Sequence, residues 1–158
     1  MYSQMFSGPV TETQTTQSYK PGELVVTNDK TYGTRIWRYI KNTDTVATVV
    51  GSLIQRKALG TDNMSGILCV TAKANRFVLL GVAQSAIPAS SFGFILKSGI
   101  GSVFAKGTLT AADYVMATTT AGQGATANVT VIADTLGVYA TALTTATDAV
   151  VTAMVDVP

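Results

Sequence analysis

The stretch Arg35-Ile36-Trp37-Arg38-Tyr39-Ile40-Lys41 carries the clearest pattern in the chain. Read as a strand, it places Arg35, Trp37, Tyr39 and Lys41 on one face. Ile36, Arg38 and Ile40 take the other, because successive strand residues point to opposite sides. Further β-branched and aromatic runs lie on either side of it, bounded by Gly, Pro, Asn and Asp clusters. These candidate strands are Glu23–Val26, Thr45–Gln55, Gly66–Thr71, Arg76–Gln84, Phe92–Lys97, Ile100–Ala105, Tyr114–Thr118, Asn128–Ala133, Leu136–Leu143 and Ala149–Val157. A short helix fits only at residues 53–60 and 71–77. Elsewhere Gly recurs too often, and Thr and Val are too abundant, for long helices. Short strands with turns at close spacing predict an all-β fold, a small β-sandwich or barrel of short antiparallel strands.

Within that fold, Phe92–Ala105 reads as a hairpin. Two apolar runs flank Lys97-Ser98-Gly99, and Gly99 supplies the positive φ of a tight turn. A second turn follows at Lys106-Gly107-Thr108. There is also a faint internal repeat. Leu80-Gly81-Val82 with Ala86 recurs, at an offset of 56 residues, as Leu136-Gly137-Val138 with Ala142. Each copy runs through a small polar loop into a further strand, as in a pseudo-symmetric barrel.

Residues 1–20 read as an extended N-terminal arm, rich in Ser, Thr and Gln. Such a segment has too little apolar surface to offset its ordering entropy, so it is expected to be disordered or to lie across a neighbouring subunit. Lys20-Pro21-Gly22 marks the turn into a single β domain, residues 21–158. The length of 158 residues suits one domain with a real core. The arm shows no secretory signal pattern, and no run approaches the roughly 18 to 20 apolar residues of a membrane helix.

Charged residues make up 13% of the chain, against about 25% in ordinary domains. A surface this poor in charge suits a protein that lies against partners. Net charge is +2, but residues 1–97 carry ten Lys/Arg against five Asp/Glu, while residues 98–158 set Lys106 against four Asp. This two-ended distribution suits lattice contacts and speaks to association rather than fold.

The chain lacks the usual catalytic groups. Histidine is absent, which removes the commonest general base and transition-metal ligand and excludes His-dependent triads. Cys69 is the sole cysteine, read as a small buried hydrophobe that forms no intrachain disulfide and no cysteine-based zinc site. Gly99-Ile100-Gly101 and Gly122-Gln123-Gly124 do not extend into a dinucleotide or P-loop pattern. They read as a hairpin turn and as part of a mobile surface loop over Thr118–Ala127. Lys97 and Ser98 are adjacent strand residues on opposite faces, badly placed to share a proton. The acids show no motif spacing. The sequence therefore predicts a non-enzyme with no cofactor and no metal.

The candidate site is an interface: Arg35, Trp37, Arg38, Tyr39 and Lys41. Trp, Tyr and Arg are the types enriched in binding hot spots. Basic residues interleaved with aromatics also suit single-stranded nucleic acid, as in a nucleic-acid-binding β-barrel. One seven-residue segment on a nearly neutral chain is a small footprint for that partner.

Several of these segments together resemble the capsid decoration (cement, head-stabilising) proteins of tailed phages. The resemblance runs over Gly33–Gln55, with Arg35-Ile36-Trp37-Arg38-Tyr39 and then Thr48-Val49-Val50-Gly51-Ser52-Leu53-Ile54-Gln55. It continues through Gly81-Val82-Ala83, Gly101-Ser102-Val103, Leu109-Thr110-Ala111-Ala112-Asp113-Tyr114-Val115 and Gly137-Val138-Tyr139-Ala140. Ala112 stands where Gly is common in that family. The resemblance implies a structural protein on the outer surface of an icosahedral virion, a homo-oligomer with a trimer favoured, the major capsid protein as partner, and no catalysis. A tail, fibre or head-fibre domain is the alternative structural role.

Overall fold

The computed structural model describes residues 9–57, 64–68, 79–107, 114–117, 120–126, 135–140 and 149–157. Its strands are β1 (Leu24–Asp29), β2 (Gly33–Asn42), β3 (Leu53–Arg56), β4 (Ser65–Leu68), β5 (Leu79–Ala83), β6 (Phe92–Ala105), β7 (Tyr114–Ala117), β8 (Gly124–Thr126), β9 (Thr135–Ala140) and β10 (Ala149–Asp156). No helix occurs among the described residues, and the fold is all-β. Cys69, the helix considered at 71–77 and the strand expected over Asn128–Ala133 lie outside the described residues.

The sheet runs β1-β2-β4-β3-β5-β6-β10-β9-β7-β8, with two further pairings, β2 to β6 and β6 to β8. Each further pairing closes a ring of five strands, one β2-β4-β3-β5-β6 and the other β6-β10-β9-β7-β8. The sheet therefore closes partially on itself at two places, with β6 common to both rings. Closure of the first ring is extensive, since Trp37 to Lys41 of β2 pair with Leu96 to Phe92 of β6. Closure of the second is a single residue pair, Ala105 with Gly124. Most pairings are antiparallel, but β2–β4 and β6–β8 are parallel.

The hairpin expected at Lys97-Ser98-Gly99 does not form. Phe92–Ala105 is one strand of 14 residues, and it can serve two rings because it is that long. Gly99 does take a positive φ of 117°, but for a different purpose. A Cβ there would lie 2.8 Å from Cγ of Arg35 and 2.9 Å from the Thr34 carbonyl oxygen. The glycine lets β2 approach closely where the β2–β6 register shifts between Ile36 and Trp37. It marks a crossing, not a turn.

Two other expectations fail on backbone grounds. Thr45–Gln55 is not one strand, because Gly51 has φ of +87° and ends the loop before β3. The helix considered from residue 53 is β3 over Leu53–Arg56 instead. The glycine pair at Gly122–Gly124 is not part of a mobile loop either. The Gly122 carbonyl accepts from the Leu53 amide at 2.8 Å, and Gly124 joins β8.

The repeat is visible in connectivity. β5 leads into β6 and β9 into β10 as antiparallel neighbours, and β6 pairs with β10 between them. The registers differ. Val82 faces Leu96, whereas its counterpart Val138 faces Val155 rather than Thr152.

Two apolar clusters hold the strands. Ile40, Ile54, Leu80, Ala83, Ile87 and Ile95 come from β2, β3, β5, β6 and the loop after β5, and they converge inside the first ring. Gly66 of β4 faces the same interior, since a Cβ there would sit 2.6 Å from Ile54 and 2.8 Å from Ile40. The larger cluster includes Trp37, Tyr39, Phe92, Phe94 and Leu96 and runs on to Val103, Val115, Val151, Ala153 and Val155. Fully burying each large side chain is worth about 1.5–3 kcal/mol.

The arm is partly ordered by its own chain. Gln14 bridges to Phe92 with paired backbone hydrogen bonds of 2.9 and 2.7 Å. Val10 and Tyr19 pack on the larger cluster. Tyr19 and Gln14 thus attach parts of residues 9–20 to β2 and β6.

Candidate interaction surface

The five residues expected to form an interface do not share one face open to a partner. Trp37 and Tyr39 are each 1% exposed. The Trp37 indole donates Nε1–H to Thr27 Oγ1 at 2.8 Å. The Tyr39 hydroxyl donates to Gln14 Oε1 at 2.9 Å and accepts from the Ser18 amide at 3.3 Å. Its ring packs edge-on to Tyr19 and stacks with Phe92. These aromatics belong to the chain's own core. The arm and β1 cover the face that the sequence assigned to a partner.

The three basic residues separate. Arg35 lies over both the Tyr32 and Trp37 rings, 5.0 and 4.9 Å from their centroids, and pairs with Asp29 at 3.4 Å. Lys41 sits over the Phe92 ring at 5.5 Å. Arg38 points into the first ring, where its Nη1 donates to the Leu80 carbonyl at 3.0 Å. Burial lowers its pKa, and the neighbouring Arg56 charge lowers it further.

Apolar residues do face outward elsewhere, on β10 and in the loop before β3. Along β10, Val151, Ala153 and Val155 are buried, while Val150 and Met154 stand 52% and 39% exposed. On β6 the matching partners are Phe104 opposite Val150 and Ile100 opposite Met154, both partly exposed. The loop before β3 adds Val46, Val49 and Val50, all exposed. Gly51 anchors the end of that loop. Its amide donates to Ala83 at 2.7 Å and its carbonyl accepts from Phe104 at 2.8 Å, on the edge of β6 away from β10. Val49 and Val50 are thereby tied to the same end of the sheet as Phe104 and Val150.

Buried polar side chains fix this loop. Asn42 is 1% exposed and donates to the Val46 and Ile87 carbonyls at 3.0 and 2.8 Å. Thr48 accepts from the Ile87 amide at 2.8 Å and donates to the Ser85 carbonyl at 3.1 Å. No local motif marked Asn42 or Thr48, because all their partners named here but Val46 lie some forty residues away.

A recess of about 170 Å³ lies between Tyr32, Arg35, Trp37, Ser102 and Thr152. Pockets for small ligands run to about 300–1,000 Å³, so this one suits a side chain better than a substrate. Among the described residues no three acidic or cysteine side chains gather closely enough to hold a metal. No family model and no curated protein matches the chain.

Proposed function

We propose that the chain is a structural virion protein that binds the outer surface of an icosahedral capsid and stabilises it at subunit junctions. The observation that carries this reading is the outer face of β6–β10, where Ile100, Phe104, Val150 and Met154 alternate with Ser and Thr, with Asp156 at one end, and which lies near the Val46–Val50 loop. A charge-poor, partly apolar face gives binding area without a concave site, which is the character of a protein-facing surface. The major capsid protein is the partner, and copies of the chain cluster as a homo-oligomer, a trimer by preference. Repetition over a lattice then turns a modest contact into a firm one, since each further contact forms at high effective concentration.

The site on β2 proposed from sequence has no place in this reading, because Trp37 and Tyr39 are buried by the chain itself. The test is the copy number in purified particles. A ratio to the major capsid protein near one, or a simple fraction of it, supports a decoration protein. A few copies per particle moves the chain to a tail or fibre, and absence from particles overturns the reading.

A further inference from the structure

We propose that Arg38, Arg56 and Lys97 form an oxyanion-binding site at one end of the first ring, and that its ligand is a carboxylate or phosphate group presented by another molecule. The three side chains come from β2, β3 and β6. Arg56 lies opposite Gly66, and Gly66 faces the ring interior, so Arg56 leaves its strand on the interior side. Arg38 lies opposite the interior residue Ile95, and its guanidinium reaches the Leu80 carbonyl. Lys97 stands at the irregularity of the β2–β6 ladder, between Leu96 and Ser98, and donates Nζ to the Val157 carbonyl at 2.6 Å.

Their charges act on one another. Arg56 depresses Arg38, and Arg38 depresses Lys97, each in addition to burial. Asp156, next to Val157 on β10, is the described acid whose charge acts on Lys97 in the opposite sense. Arg56 also has its Nε buried without a hydrogen-bond partner. A buried donor left unmade costs free energy, and gathering like charges adds to that cost. Arg56 and Lys97 are only partly buried, so an incoming group can reach them. Guanidinium groups suit planar and tetrahedral oxyanions, which accept paired charge-assisted hydrogen bonds. The site's sign agrees with the excess of Lys and Arg in residues 1–97. It stands whether or not the chain sits on a capsid.

The test is thermal unfolding of the full chain in sodium phosphate, in a hexaglutamate peptide, and in sodium chloride at matched ionic strength. At about ten times the Kd, the ligand should raise Tm by roughly 3–6 °C above chloride, and the rise should grow with the logarithm of ligand concentration. Arg56→Gln and, separately, Lys97→Gln should remove the rise, while Arg35→Gln, whose partner is Asp29, should keep it. A response to both ligands or to phosphate alone supports the site, the latter marking a phosphoryl ligand. A response to hexaglutamate alone supports it and marks an acidic protein partner. Equal melting in all three solutions overturns the proposal. So does a rise that survives in Arg56→Gln and Lys97→Gln.

Discussion

The side chain of Gln84 pairs with the backbone of Ser102 as a strand neighbour would. Its Nε2 donates to the Ser102 carbonyl at 2.9 Å, and its Oε1 accepts from the Ser102 amide at 2.8 Å. β5 pairs antiparallel with Leu96 and Ile95 and runs on away from Ser102, so that ladder does not serve the far half of β6. There one amide side chain bonds the backbone at Ser102 and Gly51 bonds it at Phe104. Gln84→Ala should therefore cost about 1–2 kcal/mol, the loss of two partly buried hydrogen bonds. Gln84→Glu should do no better, since a carboxylate accepts from Ser102 but repels its carbonyl. Chemical denaturation of the three proteins checks this, and an unchanged Gln84→Ala midpoint would remove Gln84 from the edge.

Asn42 does comparable work for the loop that carries Val46, Val49 and Val50. Removing its amide takes a donor from the Val46 carbonyl and leaves the Ile87 carbonyl with the Thr48 amide. Asn42→Ala should cost about 1–3 kcal/mol. It should also make the loop the first site of limited proteolysis, since the loop loses its most buried side-chain tether and keeps the anchors at Asp44, Thr48 and Gly51. Cleavage that begins elsewhere would show that Asn42 is not its tether.

Trp37 separates a core role from an interface role. Buried against Leu96 and bonded to Thr27, it predicts a loss of about 3–5 kcal/mol for Trp37→Ala in the isolated chain. A residue that serves only a partner would leave the isolated chain unaffected. The measurement is the unfolding midpoint of the free protein, with intact stability counting against the core assignment.

The all-β class was legible because strand periodicity is local: Arg35–Lys41 does form the middle of β2. The interface was misread for a reason the same pattern hides. Alternation tells which residues share a face, not whether a second layer covers it, and here Gln14 and Tyr19 come from a segment with little apolar content. Gly99 was misread because glycine serves turns and close crossings alike, and only the approach of Arg35 tells them apart. The outer apolar face was legible in principle, since Ala149–Asp156 alternates between two sets of side chains. One set is wholly apolar and the other carries Thr152 and Asp156, which points the second set outward and takes Val150 and Met154 with it.

Asp29 gives a pH dependence with a definite sign. Its carboxylate accepts from the Thr31 and Tyr32 amides, which, with the Arg35 charge, hold its pKa below 3.8. A folded value below the unfolded one means the contribution is present above the unfolded pKa and lost as pH falls through the folded one. Asp29→Asn keeps an acceptor oxygen but no titration. The Tm advantage of wild type over Asp29→Asn should be constant near neutral pH and shrink below about pH 4. An advantage that grows on acidification would contradict the assigned direction.

The outer face makes the sharpest test of the proposed function, because its side chains contribute little to the fold. Val150 and Met154 are exposed strand residues whose neighbours across the pair, Phe104 and Ile100, remain to cover the sheet. The double variant Val150→Lys, Met154→Lys should change stability by no more than about 1 kcal/mol, as surface substitutions do. It places two charges in the centre of the apolar face, where a docked partner would have to desolvate them without an acid opposite. Attachment to stripped particles should fall by at least tenfold, with Tm and secondary structure retained. Lysines at the exposed Thr31 and Thr34, on and beside the turn between β1 and β2, provide the control and should leave attachment unchanged. Equal binding by the β10 variant and the control would mean that some other surface meets the shell, and the reading of β6–β10 as the docking face would fall with it.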